Sequence, residues 1–180
     1  MGATVERELV VYIACSLDGY IAGPGDDLSF LSRVEAPPED YGYKAFMATV
    51  DTVLMGRRTY EKVLGLTPTF WHAESTCFVI SRSRTGKDEN VTFRNDPVQL
   101  VKELKAIPGK RIFCDGGAET VNALRSAGLV DRYIISIIPV MLGSGTALFT
   151  TVQTEQVLRL VRTEAFPTGL VQLEYEPLRP

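Results

Sequence analysis

Short apolar runs alternate with helical patterns along most of the chain. Residues 9–15 form a continuous apolar and β-branched run, which predicts a strand buried on both faces near the centre of a sheet. Comparable short runs follow at residues 52–55, 76–80 and 111–114, and segments with helical spacing separate them. This alternation predicts βαβ units and a largely parallel sheet.

The last third of the chain has a different pattern. Residues 132–138 read as another buried strand, and a glycine-rich connection follows it. Residues 157–164 and 170–175 then alternate apolar and polar positions, which predicts two antiparallel strands joined by a turn at residues 167–169. The sheet is therefore expected to be mixed, with an antiparallel hairpin at its end.

Helices are predicted from spacing and from capping residues. Aromatic and apolar residues recur at helical spacing in residues 41–50, and Asp96 is expected to cap a helix over residues 97–104. Either Asp26 or Asp27 is expected to cap a further helix that begins close behind them.

Composition and charge restrict the class of protein. The 180 residues are 45% apolar and 23% charged, with a net charge of −3, which is typical of a globular chain and predicts one domain over residues 1–180. A chain with this acidic balance is not expected to bind nucleic acid. No segment has the length and hydropathy of a membrane span, so membrane roles are not expected either.

The cysteines indicate reduced thiols. Cys15, Cys77 and Cys114 are far apart in the sequence, and each lies in or at the end of an apolar run. This pattern favours buried free thiols over disulfides or a metal site, and it predicts a cytoplasmic protein without a bound metal. The one histidine, His72, lies beside Trp71 in a loop that could close over a flat substrate or simply anchor packing.

A strand that runs into a helix through a glycine is the first candidate site. The strand ends at Gly56, and Arg57 and Arg58 follow at the start of a predicted helix. Backbone N–H groups at a helix start and two planar guanidinium groups suit phosphate oxygens. The pattern predicts a site for a phosphorylated ligand, and the alternative for the arginines is a solvated helix start.

A second junction has the same form. The strand at residues 111–114 breaks at Asp115, Gly116 and Gly117, and a helix follows. In a parallel sheet both junctions open at the carboxyl edge, where ligands of α/β proteins bind. Either glycine junction alone would be an ordinary tight turn, but together with Ser81–Arg82 at the end of an intervening strand they favour a nucleotide cofactor.

The residues then show a family resemblance. The chain resembles the dihydrofolate reductase superfamily, in particular the branch of the reductase domain of bacterial riboflavin biosynthesis. The matching segments occur in the family's order: SLDGYIA at 16–22, VLMGRRTYE at 53–61, VISRS at 79–83, DGGAETVNAL at 115–124 and LVDRYIISIIPVMLGSGTALF at 129–149. The resemblance implies a three-layer α/β/α fold, NADPH as cofactor and, by analogy, a homodimer.

The resemblance also implies which residues contact the cofactor. One group would hold the 2′-phosphate and pyrophosphate side, a second would flank the adenosine ribose, a third would let the pyrophosphate approach a helix start, and a fourth would border the nicotinamide. In that order the groups are Gly56, Arg57, Arg58 and Thr59; Ser81 and Arg82; Gly116, Gly117, Ala118, Glu119 and Thr120; and Ala14, Ile21 and Ala22.

Two aspartates are candidates for delivering the proton that accompanies hydride transfer. Asp27 aligns with the acid that binds the pteridine in dihydrofolate reductases, and Asp18 lies in the Ser-Leu-Asp-Gly segment of the riboflavin branch. The alternatives are that Asp27 only caps a helix and that Asp18 only forms a turn before Gly19.

The substrate is expected to be a small heterocycle. Gly23–Pro24–Gly25 replaces the proline and tryptophan that precede the first helix of dihydrofolate reductases, so folate is not the expected ligand. A pteridine- or ribosylaminopyrimidine-like substrate fits the resemblance better. The alternative function is a nucleotide-binding or ligand-sequestering protein of the same fold without reductase turnover.

Overall fold

The run predicted as the first core strand forms the centre of the sheet. The structure, a computed structural model, describes residues 7–66, 68–150 and 155–179. Its strands are β1 (Leu9–Ser16), β2 (Tyr20–Ala22), β3 (Val50–Gly56), β4 (Thr76–Ile80), β5 (Gly86–Lys87), β6 (Thr92–Arg94), β7 (Arg111–Cys114), β8 (Arg132–Ile138), β9 (Thr146–Ala147), β10 (Leu158–Ala165) and β11 (Val171–Pro177). Its α-helices are α1 (Tyr43–Met47), α2 (Arg57–Leu66), α3 (Pro97–Lys105) and α4 (Ala118–Ser126).

Among these residues, nine strands make one mixed sheet in the order β10-β11-β8-β1-β7-β3-β4-β6-β5. Neighbouring strands pair in parallel from β8 across to β6, and the pairs at both margins are antiparallel. The hairpin of β10 and β11 was predicted from their alternating pattern. The separate pair of β2 and β9 lies outside this sheet.

Helices cover the sheet on both faces, because alternate residues of each strand point to opposite sides. Leu54 of β3 packs in one apolar cluster with Leu100 of α3 and Leu124 of α4. The neighbouring residue Val53 packs in a second cluster with Phe46 of α1 and Tyr60 of α2. The chain therefore has the three-layer α/β/α arrangement of the dihydrofolate reductase fold, as predicted.

Local capping agrees with the sequence at one helix and differs at another. The Asp96 carboxylate accepts hydrogen bonds from the N–H groups of Val98 and Gln99, so it caps α3 as predicted. Asp27 accepts from Ser29, but the segment that follows is a 3₁₀ helix, Ser29–Val34, and a second 3₁₀ turn occupies Pro24–Asp26.

Some predicted boundaries were wrong. The helix expected over residues 41–50 is confined to α1, because Val50 already belongs to β3, where it pairs with Arg111. The alternation in residues 157–164 suggested a half-buried strand, whereas every residue of β10 is exposed. That strand lies at the margin of the sheet, and within the described residues no helix covers it.

The prediction of buried free thiols is confirmed, since Cys15, Cys77 and Cys114 are all free and buried. Burial raises the pKa of Cys15 to about 11 and that of Cys77 to about 12, so both stay protonated at neutral pH. Within the described ranges, no group of three or more potential metal ligands is found, and no helix is long and apolar enough to cross a membrane.

Candidate functional site

The two glycine junctions are in direct contact. The N–H of Gly56, at the end of β3, donates a 2.8 Å hydrogen bond to the carbonyl of Gly116, which follows β7. The contact arises because β3 and β7 are parallel neighbours, and their ladder ends with the pair of Leu54 and Cys114 just before the two junctions. The helices α2 and α4 therefore start side by side at the carboxyl edge of the sheet.

Close packing between these junctions requires glycine. A Cβ on Gly56 would lie 3.3 Å from Oγ1 of Thr120 and 3.4 Å from the backbone nitrogen of Gly117. A Cβ on Gly117 would lie 3.4 Å from Oγ1 of Thr59. Gly116 has a φ of +92°, and the peptide bond between Gly116 and Gly117 is cis. Backbone of one junction thus faces backbone of the other with little side-chain volume between them.

The start of α4 is suited to an anion. Its N-cap is Gly117, which supplies no side-chain acceptor to the first N–H groups of the helix. Ala118 and Thr120 in the first turn are buried, whereas the Glu119 side chain is almost fully exposed. Helix N-termini that lack a capping side chain leave N–H donors and a positive dipole end for a ligand oxygen.

Three predicted arginines lie at the surface around this edge. Each has a carboxylate partner: Arg57 lies 3.7 Å from Glu61, Arg58 lies 3.1 Å from Asp26, and Arg82 lies 4.0 Å from Glu119. All three pairs are exposed, and pairs of this kind contribute little to stability because water and salt screen them. The guanidinium groups can therefore exchange these carboxylates for phosphate oxygens at small cost.

Ser81 has a different position from the arginine that follows it. Its hydroxyl is buried and accepts hydrogen bonds from the N–H groups of Ser83, at 3.3 Å, and Arg84, at 3.0 Å. Its own N–H donates to the carbonyl of Arg94. Ser81 therefore stabilises the turn that contains Arg82, and its hydroxyl already accepts two hydrogen bonds.

Beside the junctions, the ladder between β1 and β7 ends before β1 does, and we refer to this end of the ladder as the gap. β1 pairs with β7 from Leu9 to Val11 and with β8 from Val10 to Ser16. The main chain of β1 near Ala14 therefore leaves the β7 ladder while it stays bonded to β8. Gaps of this kind at the carboxyl edge are where flat ligand rings enter open α/β sheets.

The loop after β1 borders that gap. Ile21 and Ala22 lie on β2, which pairs with β9, and a Cβ on Gly145 would overlap the carbonyl oxygen of Ala22. The loop that follows β8 is thus packed directly against residues 20–23. Of the predicted nicotinamide residues, Ile21 and Ala22 are neighbours on β2, whereas the side chain of Ala14 packs in a different apolar cluster from that of Ile21.

The carboxylates of both candidate acids, Asp18 and Asp27, already accept hydrogen bonds from nearby loop residues. Asp18 accepts hydrogen bonds from the Ser16 hydroxyl, at 2.5 Å, and from the N–H groups of Leu142, at 3.0 Å, and Gly143, at 2.7 Å. The bond from Ser16 and the two backbone bonds hold the pKa of Asp18 below its usual value. Through its bonds to Leu142 and Gly143, Asp18 connects the loop after β1 to the loop after β8.

Asp27 is exposed and accepts from both the hydroxyl and the N–H of Ser29, which lowers the pKa of its carboxyl. Both aspartates stay predictions as proton donors. Neither has the raised pKa that a donor working near neutral pH requires.

A pair that the sequence did not suggest lies next to Gly116. Asp115 directly follows β7, and its carboxylate Oδ2 lies 3.1 Å from Nε2 of the buried His72. His72 comes from the loop between α2 and β4, 43 positions away in the chain, so no local motif predicts the contact.

Aromatic rings line the same face of the sheet. Tyr12 packs edge-on against Tyr43 and Phe46, and Tyr43 and Phe46 both pack against Phe113. Burial, and then the nearby charge of Asp115, raise the pKa of the Tyr43 phenol, so it remains a hydrogen-bond donor. Tyr43 is also partly exposed, and it can contact a flat ligand.

Comparisons with known proteins agree with this geometry. The model of the RibD C-terminal domain family matches residues 7–172. Two uncharacterized proteins of Bacillus subtilis (strain 168) are similar over most of their length. YwjB is 43% identical over 95% of this chain and 98% of its own, and YyaP is 32% identical over 94% and 95%.

Solved structures have the same fold. A protein from Shewanella sp. PV-4, provisionally assigned to riboflavin biosynthesis, superposes with a TM-score of 0.87 and 29% identity over 96% of this chain and 100% of its own. A Thermotoga maritima deaminase and 5-amino-6-(5-phosphoribosylamino)uracil reductase superposes with a TM-score of 0.72 and 16% identity. That match covers 96% of this chain and 57% of the Thermotoga protein.

Proposed function

Since this chain belongs to the family of RibD C-terminal domains, we propose that it is an NADPH-dependent reductase of a small heterocyclic substrate. The observation that carries the proposal is the contact between the two glycine junctions, from Gly56 to Gly116, beside the gap between β1 and β7. It brings an anion site and an entry for a flat ring together at one edge of the sheet.

The residues at this edge fit a dinucleotide. Gly56 and Gly117 keep side-chain volume out of the contact between the helix starts, so backbone N–H groups of α2 and α4 are accessible to a pyrophosphate. Ala14, Ile21 and Ala22 would border the nicotinamide, which supplies the hydride when the cofactor is bound. The part of these residues would be to bind and orient the ring.

The arginines support NADPH over NADH. Arg57, Arg58 and Arg82 surround the adenosine end, and their carboxylate partners are exposed and exchangeable. A 2′-phosphate provides oxygens that planar guanidinium groups bind with two parallel hydrogen bonds. NADH has only a hydroxyl at that position, so it would leave the positive charges without a ligand.

The substrate class follows from the family and from the aromatic face. The Thermotoga protein reduces 5-amino-6-(5-phosphoribosylamino)uracil, a ribosylaminopyrimidine. The partly exposed Tyr43 beside the gap offers this chain a surface for a planar pyrimidine or pteridine ring.

Two measurements test the proposal. NADPH and NADH are titrated separately while nucleotide fluorescence is followed, and the absorbance of the reduced nicotinamide is then monitored with 5-amino-6-(5-phosphoribosylamino)uracil and with 7,8-dihydropterin. We expect tighter binding of NADPH and loss of absorbance with at least one substrate. If neither nucleotide binds, the assignment is wrong.

A second function is favoured by the candidate acids. The hydrogen bonds of Asp18 and Asp27 lower the pKa of both carboxyls, so neither is suited to donate a proton at neutral pH. A nucleotide-binding protein of this fold without reductase turnover is consistent with that observation. Tight NADPH binding with no absorbance loss for either substrate would favour this alternative.

The proposed enzyme is a homodimer. β10 lies at the margin of the sheet, and all its residues are exposed, among them Leu158, Leu160 and Val161. An edge strand with exposed apolar side chains is a surface on which a second copy of the chain can pair.

A further inference from the structure

His72 is held rigidly beneath the surface. Its carbonyl accepts hydrogen bonds from the N–H of Ser75, at 2.9 Å, and the thiol of Cys77, at 3.4 Å. Its ring packs edge-on between Phe70 and Phe113, with centroid distances of 5.8 Å and 5.9 Å. The side chain is 1% exposed, so the imidazole is enclosed by protein atoms.

The two ring nitrogens have different surroundings. Nε2 lies 3.1 Å from Oδ2 of Asp115, whereas the buried Nδ1 has no hydrogen-bond partner within the described part of the chain. A proton on Nδ1 would bury an N–H group without an acceptor, which is more costly than burying a lone pair. The arrangement therefore favours the tautomer in which Nε2–H donates to Asp115.

Asp115 has capacity for another hydrogen bond. Its backbone N–H donates to the carbonyl of Leu54, which fixes the residue at the carboxyl end of β7. One carboxylate oxygen accepts from His72, and a quarter of the side chain is exposed. A carboxylate has about four lone-pair positions, so acceptor positions remain for a ligand.

We infer that His72 is a positioning residue that holds Asp115 as the acceptor for an amino or hydroxyl group of the substrate. This inference rests on the proposed function, because Asp115 lies directly before the cofactor junction at Gly116 and beside Tyr43. The substrate is then a planar ring over Tyr43 that bears an N–H or O–H donor towards β7. A phosphate on the same substrate lies away from this carboxylate, since like charges repel.

Spectroscopy on the wild-type chain tests the pair without any assay of turnover. His72 is the one histidine in the sequence, so protein labelled with ¹⁵N-histidine gives a single imidazole spectrum. In the neutral imidazole we expect the proton on Nε2 and none on Nδ1. A neutral imidazole that carries its proton on Nδ1 would overturn the inference, whatever the protein does with NADPH.

The same signal reports a ligand at Asp115. With NADP⁺ bound, adding 5-amino-6-(5-phosphoribosylamino)uracil or 7,8-dihydropterin is expected to shift the Nε2–H resonance. If NADP⁺ binds but neither compound moves the resonance at saturation, the inference fails while the cofactor assignment stands. If neither NADP⁺ nor NADPH binds, it is the proposed function that fails.

Two variants separate positioning from packing. His72→Gln keeps an N–H donor near the position of Nε2, whereas His72→Phe keeps a buried ring without a donor. His72→Phe should raise the KM of a substrate that is turned over roughly tenfold, the loss expected for a hydrogen bond to a charged group. If a compound binds without turnover, its Kd should rise by the same factor. His72→Gln should recover most of that loss, and Kd for NADPH should be unchanged in both. Equal losses in the two variants, with both folded by circular dichroism, would assign His72 to packing alone.

Discussion

The guanidinium of Arg58 lies 3.1 Å from the carboxylate of Asp26, so the loop after β2 is joined to the start of α2. Arg58 is expected to bind the 2′-phosphate, and Asp26 is the anion that occupies it in the structure. The carboxylate and the phosphate would compete for one guanidinium group.

The competition predicts that removing the charge of Asp26 strengthens cofactor binding. In Asp26→Asn, NADPH affinity should rise by about two- to fivefold, the range expected from an exposed ion pair, and NADH affinity should not change. The rise should shrink at high salt, because salt screens the competing carboxylate. The control is Glu164→Gln, which removes an exposed carboxylate paired with Arg162 on β10, at the margin of the sheet. Weaker NADPH binding in Asp26→Asn would mean that the ion pair supports the site instead of competing with it.

The arginines themselves are predicted to determine cofactor choice. Replacing Arg57 and Arg58 together with Ala should weaken NADPH binding by more than about tenfold, since two charge-assisted contacts are lost. NADH should change by less than about threefold. Arg159→Ala on β10 removes an exposed arginine elsewhere and serves as the control. Equal losses for the two cofactors, measured by fluorescence titration, would place the adenosine end at another site.

The two glycine junctions of the candidate site could be predicted from the sequence, because they depend on local structure. A strand that ends in glycine before a helix is visible at Gly56 and again at Gly116, and parallel pairing places both at one edge. The fold brings the two junctions into contact because β3 and β7 are neighbours, a consequence of the predicted parallel sheet.

Contacts between distant segments could not be predicted in this way. The pair of His72 and Asp115 joins a loop to a strand end, and neither residue has a neighbour in sequence that signals the other. Asp26 and Arg58 are 32 positions apart, so their ion pair is likewise a product of the folded loop. β2, β5 and β9 were missed because two or three residues carry no periodic pattern.

The close contact of the junctions predicts a cost for any side chain at Gly56. In Gly56→Ala the new Cβ would lie 3.3 Å from Oγ1 of Thr120, and relieving that contact should lower the free energy of unfolding by about 1–3 kcal/mol. Gly65→Ala is the matched control, because Gly65 lies in α2 with no atom within 4 Å of the new Cβ. It should raise the unfolding free energy by about 0.5–1 kcal/mol. Urea denaturation measures both, and an unchanged Gly56→Ala would show that the junctions can separate freely.

The lowered pKa of Asp18 predicts that the stability of the fold depends on pH. Its folded-state pKa is lowered, chiefly by the hydrogen bond from Ser16, so its carboxylate stabilises the fold above the unfolded pKa of about 4. That contribution is lost as the pH falls through the lowered folded value. The melting temperature of wild type should therefore exceed that of Asp18→Asn at pH 7, and the difference should close in the acid range below pH ~4. Glu89→Gln, which removes an exposed carboxylate, is the control. A difference between wild type and Asp18→Asn that does not depend on pH would show that the charge of Asp18 contributes nothing to holding the two loops together.

The exposed edge strand β10 predicts the interface of the proposed dimer. Leu160 is 50% exposed and Val161 is 42% exposed, and both lie in the middle of β10. Burying them against a second copy would be favourable, whereas two lysines at these positions would place charge inside the interface. Light scattering should therefore find a dimer for the wild-type chain and a monomer for the double variant Leu160→Lys, Val161→Lys. Ile107→Lys replaces an apolar residue that is 54% exposed just after α3, and it should leave the dimer intact. A wild-type chain that stays monomeric at micromolar concentration would exclude β10 as the interface, and a dimer that survives the two lysines would place the interface on another surface.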